Sequence, residues 1–121
     1  MLDHIIITVE HYAASREFYE KALAPLGYQV SMEFEQGCGF SVLEKPDFWI
    51  RQGDKMQPHI HVAFTSRDRQ AVDEFYAAAL AAGGTDNGAP GLRADYHPNY
   101  YGAFVFDPDG HNIEAVCHRP Q

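Results

Sequence analysis

Apolar and polar positions alternate along the chain with two different periods. In the first strand-like segment, residues 3–9, Ile5, Ile7 and Val9 point one way while His4, Ile6 and Thr8 point the other. The period then lengthens: Phe18, Tyr19, Ala22, Leu23 and Leu26 fall on one face of a helix, which Gly27 closes. Shorter strands are expected over 28–34, 38–44 and 47–51. The pattern then starts again. A strand over 59–65 sets Ile60, Val62 and Phe64 against His59, His61, Ala63 and Thr65. A helix carrying Val72, Phe75, Tyr76, Ala79 and Leu80 follows, opened by Ser66 and Asp68 and closed by Gly83-Gly84. Strands over 85–88, 101–106 and 111–117 complete the chain.

The second half repeats the first. A shift of 57 positions lays His4 on His61, Ile5 on Val62, Thr8 on Thr65, Phe18 on Phe75, Tyr19 on Tyr76, Ala22 on Ala79, Leu23 on Leu80 and Gly27 on Gly84. The register holds without a gap through a strand, a turn and a helix. The expectation is an α+β domain spanning residues 1–121, built of two βαβββ units over about 1–52 and 58–118.

Asp107-Pro108-Asp109-Gly110 fits a type I turn, with Gly where a positive φ is wanted. Pairing about that turn sets Phe104 opposite Glu114 and Phe106 opposite Asn112. One face of each main strand is nearly all apolar and suits the helices. The other mixes imidazole, hydroxyl, amide and carboxylate with small apolar groups. Curved mixed sheets with helices outside would enclose that face in a cavity.

Two histidines at equivalent places of a repeat converge across its pseudo-twofold axis, and Glu114 on the last strand completes a set. Two imidazoles and a carboxylate form a facial triad for a divalent metal, leaving positions open for substrate. The plainer reading of any one histidine on a half-buried strand is a hydrogen-bonded structural residue. The repeat match of His4 with His61, joined by Glu114 on the same face, favours ligation. His59 is read as a cavity residue or a surface one, and His11, His111 and His118 as solvent-facing or terminal. The segment from Thr85 to Tyr100, rich in Gly, Pro and Tyr, reads as a long loop, either a binding loop or a packed surface loop. On it Arg93 would hold an anionic substrate, and His97 or Tyr101 would donate a proton.

Charge narrows the partners. Nine basic against seventeen acidic residues give a net charge of −8, which opposes binding to nucleic acid or an anionic membrane and favours a small molecule. No stretch is long and apolar enough for a transmembrane helix. The opening Met1-Leu2-Asp3-His4 lacks the features of an export signal, so a cytoplasmic protein is expected, with Cys38 and Cys117 as reduced structural thiols.

Several motifs together resemble the vicinal-oxygen-chelate superfamily of glyoxalases, bleomycin-resistance proteins, fosfomycin-modifying enzymes and extradiol dioxygenases. They are Asp3-His4-Ile5, Ser15-Arg16-Glu17-Phe18-Tyr19, His61-Val62-Ala63-Phe64 and the tail from Asp107 to Glu114. The resemblance implies that His4, His61 and Glu114 are metal ligands for Zn, Ni, Mn, Co or Fe. It also implies a homodimer, with each site formed within one chain or across a two-fold interface. Glyoxalase I has a fourth protein ligand where this chain carries Trp49 or Ile50, and fosfomycin-modifying relatives favour a Thr where it carries Ile6. The implied function is a lyase or isomerase acting on a small oxygenated molecule chelated to the metal. Alternatives are Fe(II) dioxygenation and a non-catalytic binding protein whose aromatic platforms are Trp49, Phe104 and Tyr101.

Overall fold

The computed structural model describes residues 2–120. The elements run β1 (Ile5–Val9), α1 (Tyr12–Leu23), a 3-10 turn (Ala24–Leu26), β2 (Gln29–Phe34), β3 (Gly37–Ser41), β4 (Phe48–Gln52), β5 (His61–Thr65), α2 (Arg69–Ala81), β6 (Thr85–Leu92), β7 (Tyr101–Phe106) and β8 (Asn112–Cys117). They form two four-stranded mixed sheets, ordered β1-β4-β3-β2 and β5-β8-β7-β6. The two sheets have the same plan. In each, the first strand of the unit lies at an edge and pairs in parallel with the last, and the remaining pairings are antiparallel. The architecture is α+β with one helix per sheet and no closed barrel, as the repeated βαβββ pattern predicts.

Burial follows the strand alternation. Ile7 and Val9 are fully buried while Ile6 is 46% exposed, and Ile113, Ala115 and Cys117 lie in the core. The helices contribute Phe18, Tyr19 and Leu23 from α1 and Val72, Phe75 and Ala79 from α2 to that core, and α1 packs on α2. The Asp68 carboxylate accepts a hydrogen bond from the Ala71 amide at 2.8 Å, capping α2. Cys38 and Cys117 are buried free thiols. Among the described residues no helix is long and apolar enough to cross a membrane.

The turn at 107–110 closes as its residues require. The Gly110 amide donates to the Asp107 carbonyl at 2.9 Å, and Gly110 takes a φ of +90°. The register sets Phe104 against Glu114 and Phe106 against Asn112, as expected.

Two expectations are corrected. The segment from Thr85 to Tyr100 is not one long loop. The strand expected over 85–88 is present and runs on to Leu92 as β6, paired with β7 through register shifts between Asp86 and Gly88 and between Gly88 and Gly91. Gly and Pro weaken the strand pattern in the sequence, yet bulges accommodate such residues once a partner strand supplies the ladder. His111, expected to face solvent, is fully buried. Its amide donates to Asp107 Oδ1, and its Nδ1 accepts from the Ile60 amide at 3.1 Å, so the tight turn draws the ring inward.

Candidate functional site

The second sheet carries a compact polar centre on the face turned away from α2. β5 and β8 run in parallel with His61 beside Asn112 and Ala63 beside Glu114, which puts His61 and Glu114 on one face. His61 Nε2 lies 2.7 Å from Glu114 Oε1, and Glu114 is only 1% exposed. The hydroxyl of Tyr100 donates to the other oxygen, Glu114 Oε2. Burial, together with this bond to the Glu114 carboxylate, pushes the Tyr100 phenol up to about 12, so it stays protonated at neutral pH. Phe104 lies beside this centre, its ring 6.2 Å from that of His61, and the Arg93 guanidinium sits over the Phe104 ring at 5.4 Å.

The first sheet carries a different surface. Ile6 pairs with Trp49, Trp49 with Gly39 and Gly39 with Met32, so Ile6, Trp49 and Met32 share a face. Gly39 is required under Trp49, because a Cβ there would lie 2.9 Å from the indole Cε2 and 2.9 Å from Pro46. Phe34 stacks on Trp49 with an interplanar angle of 18°. With His4, Lys45 and Arg51 these residues line a largely apolar cavity of about 550 Å3. His4 is exposed, and its Nδ1 lies 2.6 Å from Asp3 Oδ1.

The expected site residues therefore divide into two groups. His61, Glu114, Phe104 and Arg93 gather on the second sheet, while His4 and Trp49 lie on the first. Among the described residues, no three His, Cys, Asp or Glu side chains come together as a metal site within one chain. The remaining candidates stand elsewhere. Tyr101 shares the face of Ala103 and Val105, donates to Asp73 Oδ1 at 2.7 Å and lies under Arg69, so it serves the α2 side of the sheet. His97 accepts from the Asn99 amide and meets His118, whose ring in turn meets Tyr100. His59 packs on the hairpin, its ring 5.5 Å from that of His111.

Tyr100 is the functional candidate that sequence reasoning missed. The signal was present: counting by twos from Phe104 through Gly102 reaches residue 100, on the face of Glu114, and not Tyr101. The His61 imidazole and the Glu114 carboxylate offer one nitrogen and one oxygen donor, a set that suits borderline divalent ions. Ligand atoms about 2.1 Å from one ion stand about 3 Å apart at a right angle. The 2.7 Å pair would have to open by a few tenths of an ångström for both atoms to hold one cation.

Comparison with known proteins agrees with this architecture. The model of the Glyoxalase/Bleomycin resistance protein/Dioxygenase superfamily matches residues 1–115. A glyoxalase/bleomycin resistance protein from Albidiferax ferrireducens is 27% identical, with a TM-score of 0.79 over 97% of this chain and 98% of that one. A putative glyoxalase from Bacillus halodurans is 25% identical, with a TM-score of 0.70 over 97% and 95%. At 19% identity, with a TM-score of 0.72 over 96% and 88%, a mutant of the fosfomycin resistance protein FosX from Listeria monocytogenes shares the fold. That structure contains Mn(II) and a dihydroxypropylphosphonic acid. With the repeated βαβββ sheets and a family match over nearly its whole length, the chain belongs to the glyoxalase/bleomycin resistance protein/dioxygenase superfamily.

Proposed function

We propose that the protein is a metal-dependent enzyme of lyase or isomerase type, acting on a small molecule that chelates the ion through two neighbouring oxygens. The observation that carries this reading is the 2.7 Å approach of His61 Nε2 to Glu114 Oε1, with the other oxygen of that buried carboxylate held by Tyr100. His61 and Glu114 would hold a divalent metal such as Zn, Ni, Mn, Co or Fe. The bound ion supplies Lewis-acid stabilisation of charge developing on a substrate oxygen. Tyr100 keeps Glu114 in one orientation, and its protonated phenol lies within reach of the same space.

The third ligand is His4, supplied by a second copy of the chain in a homodimer. His4 lies on the other sheet of its own chain, beside exposed apolar groups: Ile6 and Met32 are each 46% exposed and Phe34 61%. Burying that face against the second sheet of a partner would complete both the apolar wall and the ligand set. In that assembly Trp49 occupies the position where glyoxalase I has a fourth ligand. Turnover of the methylglyoxal–glutathione hemithioacetal is accordingly expected to be weak, since an indole cannot act as a base.

Mixing His4→Ala chains with Glu114→Gln chains tests the arrangement. In a shared-site heterodimer one site carries both defects and the other carries neither. Metal content by elemental analysis should therefore recover to one ion per mixed dimer, while each variant alone binds weakly. No recovery after chain exchange, with dimers seen by light scattering, would place the site within one chain. Absence of stoichiometric metal from the wild-type protein after reconstitution would remove the enzyme reading. It would favour instead a binding protein that seats a flat apolar ligand on Trp49 in the 550 Å3 cavity.

A further inference from the structure

Arg93 has its guanidinium fixed by groups of β6 and β7. Its Nη2 donates to the Ala89 carbonyl at 2.8 Å, and its guanidinium lies over the Phe104 ring. Two glycines make room for it. A Cβ on Gly88 would lie 3.2 Å from Nη2, and one on Gly91 3.1 Å from Nη1, both tighter than ordinary packing. Gly88 also has a φ of +147°, a conformation L side chains rarely adopt. The bulged strand β6 thus wraps a cradle around one cation, with a bond and a ring fixing its plane.

Among the described residues that cation has no anionic partner. Arg16, Lys21, Lys45 and Arg67 each pair with a carboxylate, whereas Arg51, Lys55 and Arg119, like Arg93, form no salt bridge among the described residues. Among the described residues no ion pair involves Arg93, in a chain whose net charge is −8. What distinguishes Arg93 is its fixation by the Ala89 carbonyl, the Phe104 ring and the two glycines, which leaves an unpaired guanidinium preorganised to receive an anion.

The neighbourhood is a polar pocket of about 340 Å3 lined by Asn87, Gly88, Arg93, Tyr96, Phe104 and Asn112. Asn112 Oδ1 is buried and accepts no hydrogen bond. A buried acceptor without a donor points to a group that arrives with the ligand. Asn112 stands beside His61 in the β5–β8 register, and Phe104 connects Arg93 to His61. Arg93 is close enough to Tyr100 for its charge to oppose the rise of that phenol.

We propose that Arg93 and Asn112 form a subsite for the oxyanion group of the small molecule handled at His61 and Glu114. The group is a carboxylate, phosphate or phosphonate that carries an O–H or N–H donor nearby. The guanidinium binds two oxygens of the anion through its free N–H edge. The ligand's donor satisfies Asn112 Oδ1. The substrate class is therefore an anionic, hydroxylated small molecule. The inference rests on the proposed function only in calling that molecule a substrate; the subsite itself requires no metal.

The test uses the metal-free full chain, so that its failure is separate from failure of the metal reading. Phenylphosphonate, benzoate and neutral benzyl alcohol are titrated while the arginine Nε–H resonances are followed by NMR. Saturable shifts at Arg93 with the oxyanions, and none with the alcohol, are expected. Binding of one oxyanion alone supports the subsite and identifies which source it takes. Arg93→Gln should weaken oxyanion binding about tenfold or more. Asn112→Asp, which sets a like charge within the subsite with almost no change of volume, should do the same. Arg67→Gln on the surface should leave binding unchanged. Equal affinity in wild type and Arg93→Gln, equal response to the alcohol, or no shift at Arg93 would overturn the proposal.

Discussion

His61 and Glu114 meet diagonally across two parallel strands, His61 beside Asn112 and Glu114 beside Ala63, with Nε2 2.7 Å from Oε1. A diagonal contact of this kind needs β5 and β8 to keep their register. Glu114 is buried and is therefore tested by an isosteric change. Glu114→Gln keeps the volume and the bond from Tyr100. His61 is half exposed, so His61→Ala opens no cavity. Both variants should retain the fold by circular dichroism and lose metal affinity by about a hundredfold or more, read by calorimetry. Wild-type affinity in both would exclude the pair as ligands.

Tyr100→Phe removes only the hydroxyl that holds Glu114 Oε2. Outer partners of a ligand typically change metal affinity by about 10- to 100-fold. The expected result is a loss of about tenfold, with an altered Co(II) absorption spectrum reporting a reoriented carboxylate. An unchanged spectrum and affinity would make the contact incidental.

Tyr19 joins the two halves of the chain at depth. Its hydroxyl donates to Asp107 Oδ2 at 2.5 Å, and both residues are buried. Burial holds the Asp107 carboxyl above its ordinary value of 3.8, against the lowering effect of its bonds from Tyr19 and His111. A carboxyl raised in the fold contributes stability that is full below 3.8 and is lost as pH rises through its folded value. Tyr19→Phe removes a donor that favours the ionised form of Asp107. It should cost about 1–3 kcal/mol at pH 7 in urea unfolding. The cost should shrink in acid, where Asp107 takes a proton. A loss independent of pH would assign the effect to packing alone.

Gly110 closes the last hairpin at a φ of +90°. A Cβ there would also sit 3.0 Å from His59 Cε1, although that ring has room to move. Gly110→Ala should therefore cost about 1–2 kcal/mol, mainly from the left-handed backbone. A melting temperature equal to that of the wild type would contradict the strain.

Much of this was legible in the chain. Strand alternation fixed which side chains of β1, β5 and β8 face the helices, because burial on one face of a sheet forces a period of two. The 57-residue shift disclosed two equivalent units, and the turn residues at 107–110 set the Phe104–Glu114 register. The same alternation, carried two residues before β7, would have found Tyr100 in place of Tyr101. Other features lay outside the reach of periodicity. Strand β6 continues past the expected 85–88 through Gly and Pro residues that disfavour strands, and its pairing there depends on bulges against β7 that only the assembled sheet supplies. His111 is drawn inside by backbone bonds to Asp107, though its residue type and turn position suggest solvent.

The sequence by itself determined the two-unit fold, the helix-facing core and the polar faces opposite, since each follows from a local period and its repetition. The tertiary structure alone decided which polar residues meet. Whether His4 stands with His61 and Glu114 depends on how one sheet is placed against the other, and strand periodicity carries no term for that placement. Within one chain the two sheets keep His4 apart, while β5, β8 and the end of the loop before β7 bring His61, Glu114 and Tyr100 together. Hydrogen bonds across parallel neighbours fix atoms to within ångströms, and pattern along the chain fixes only a face.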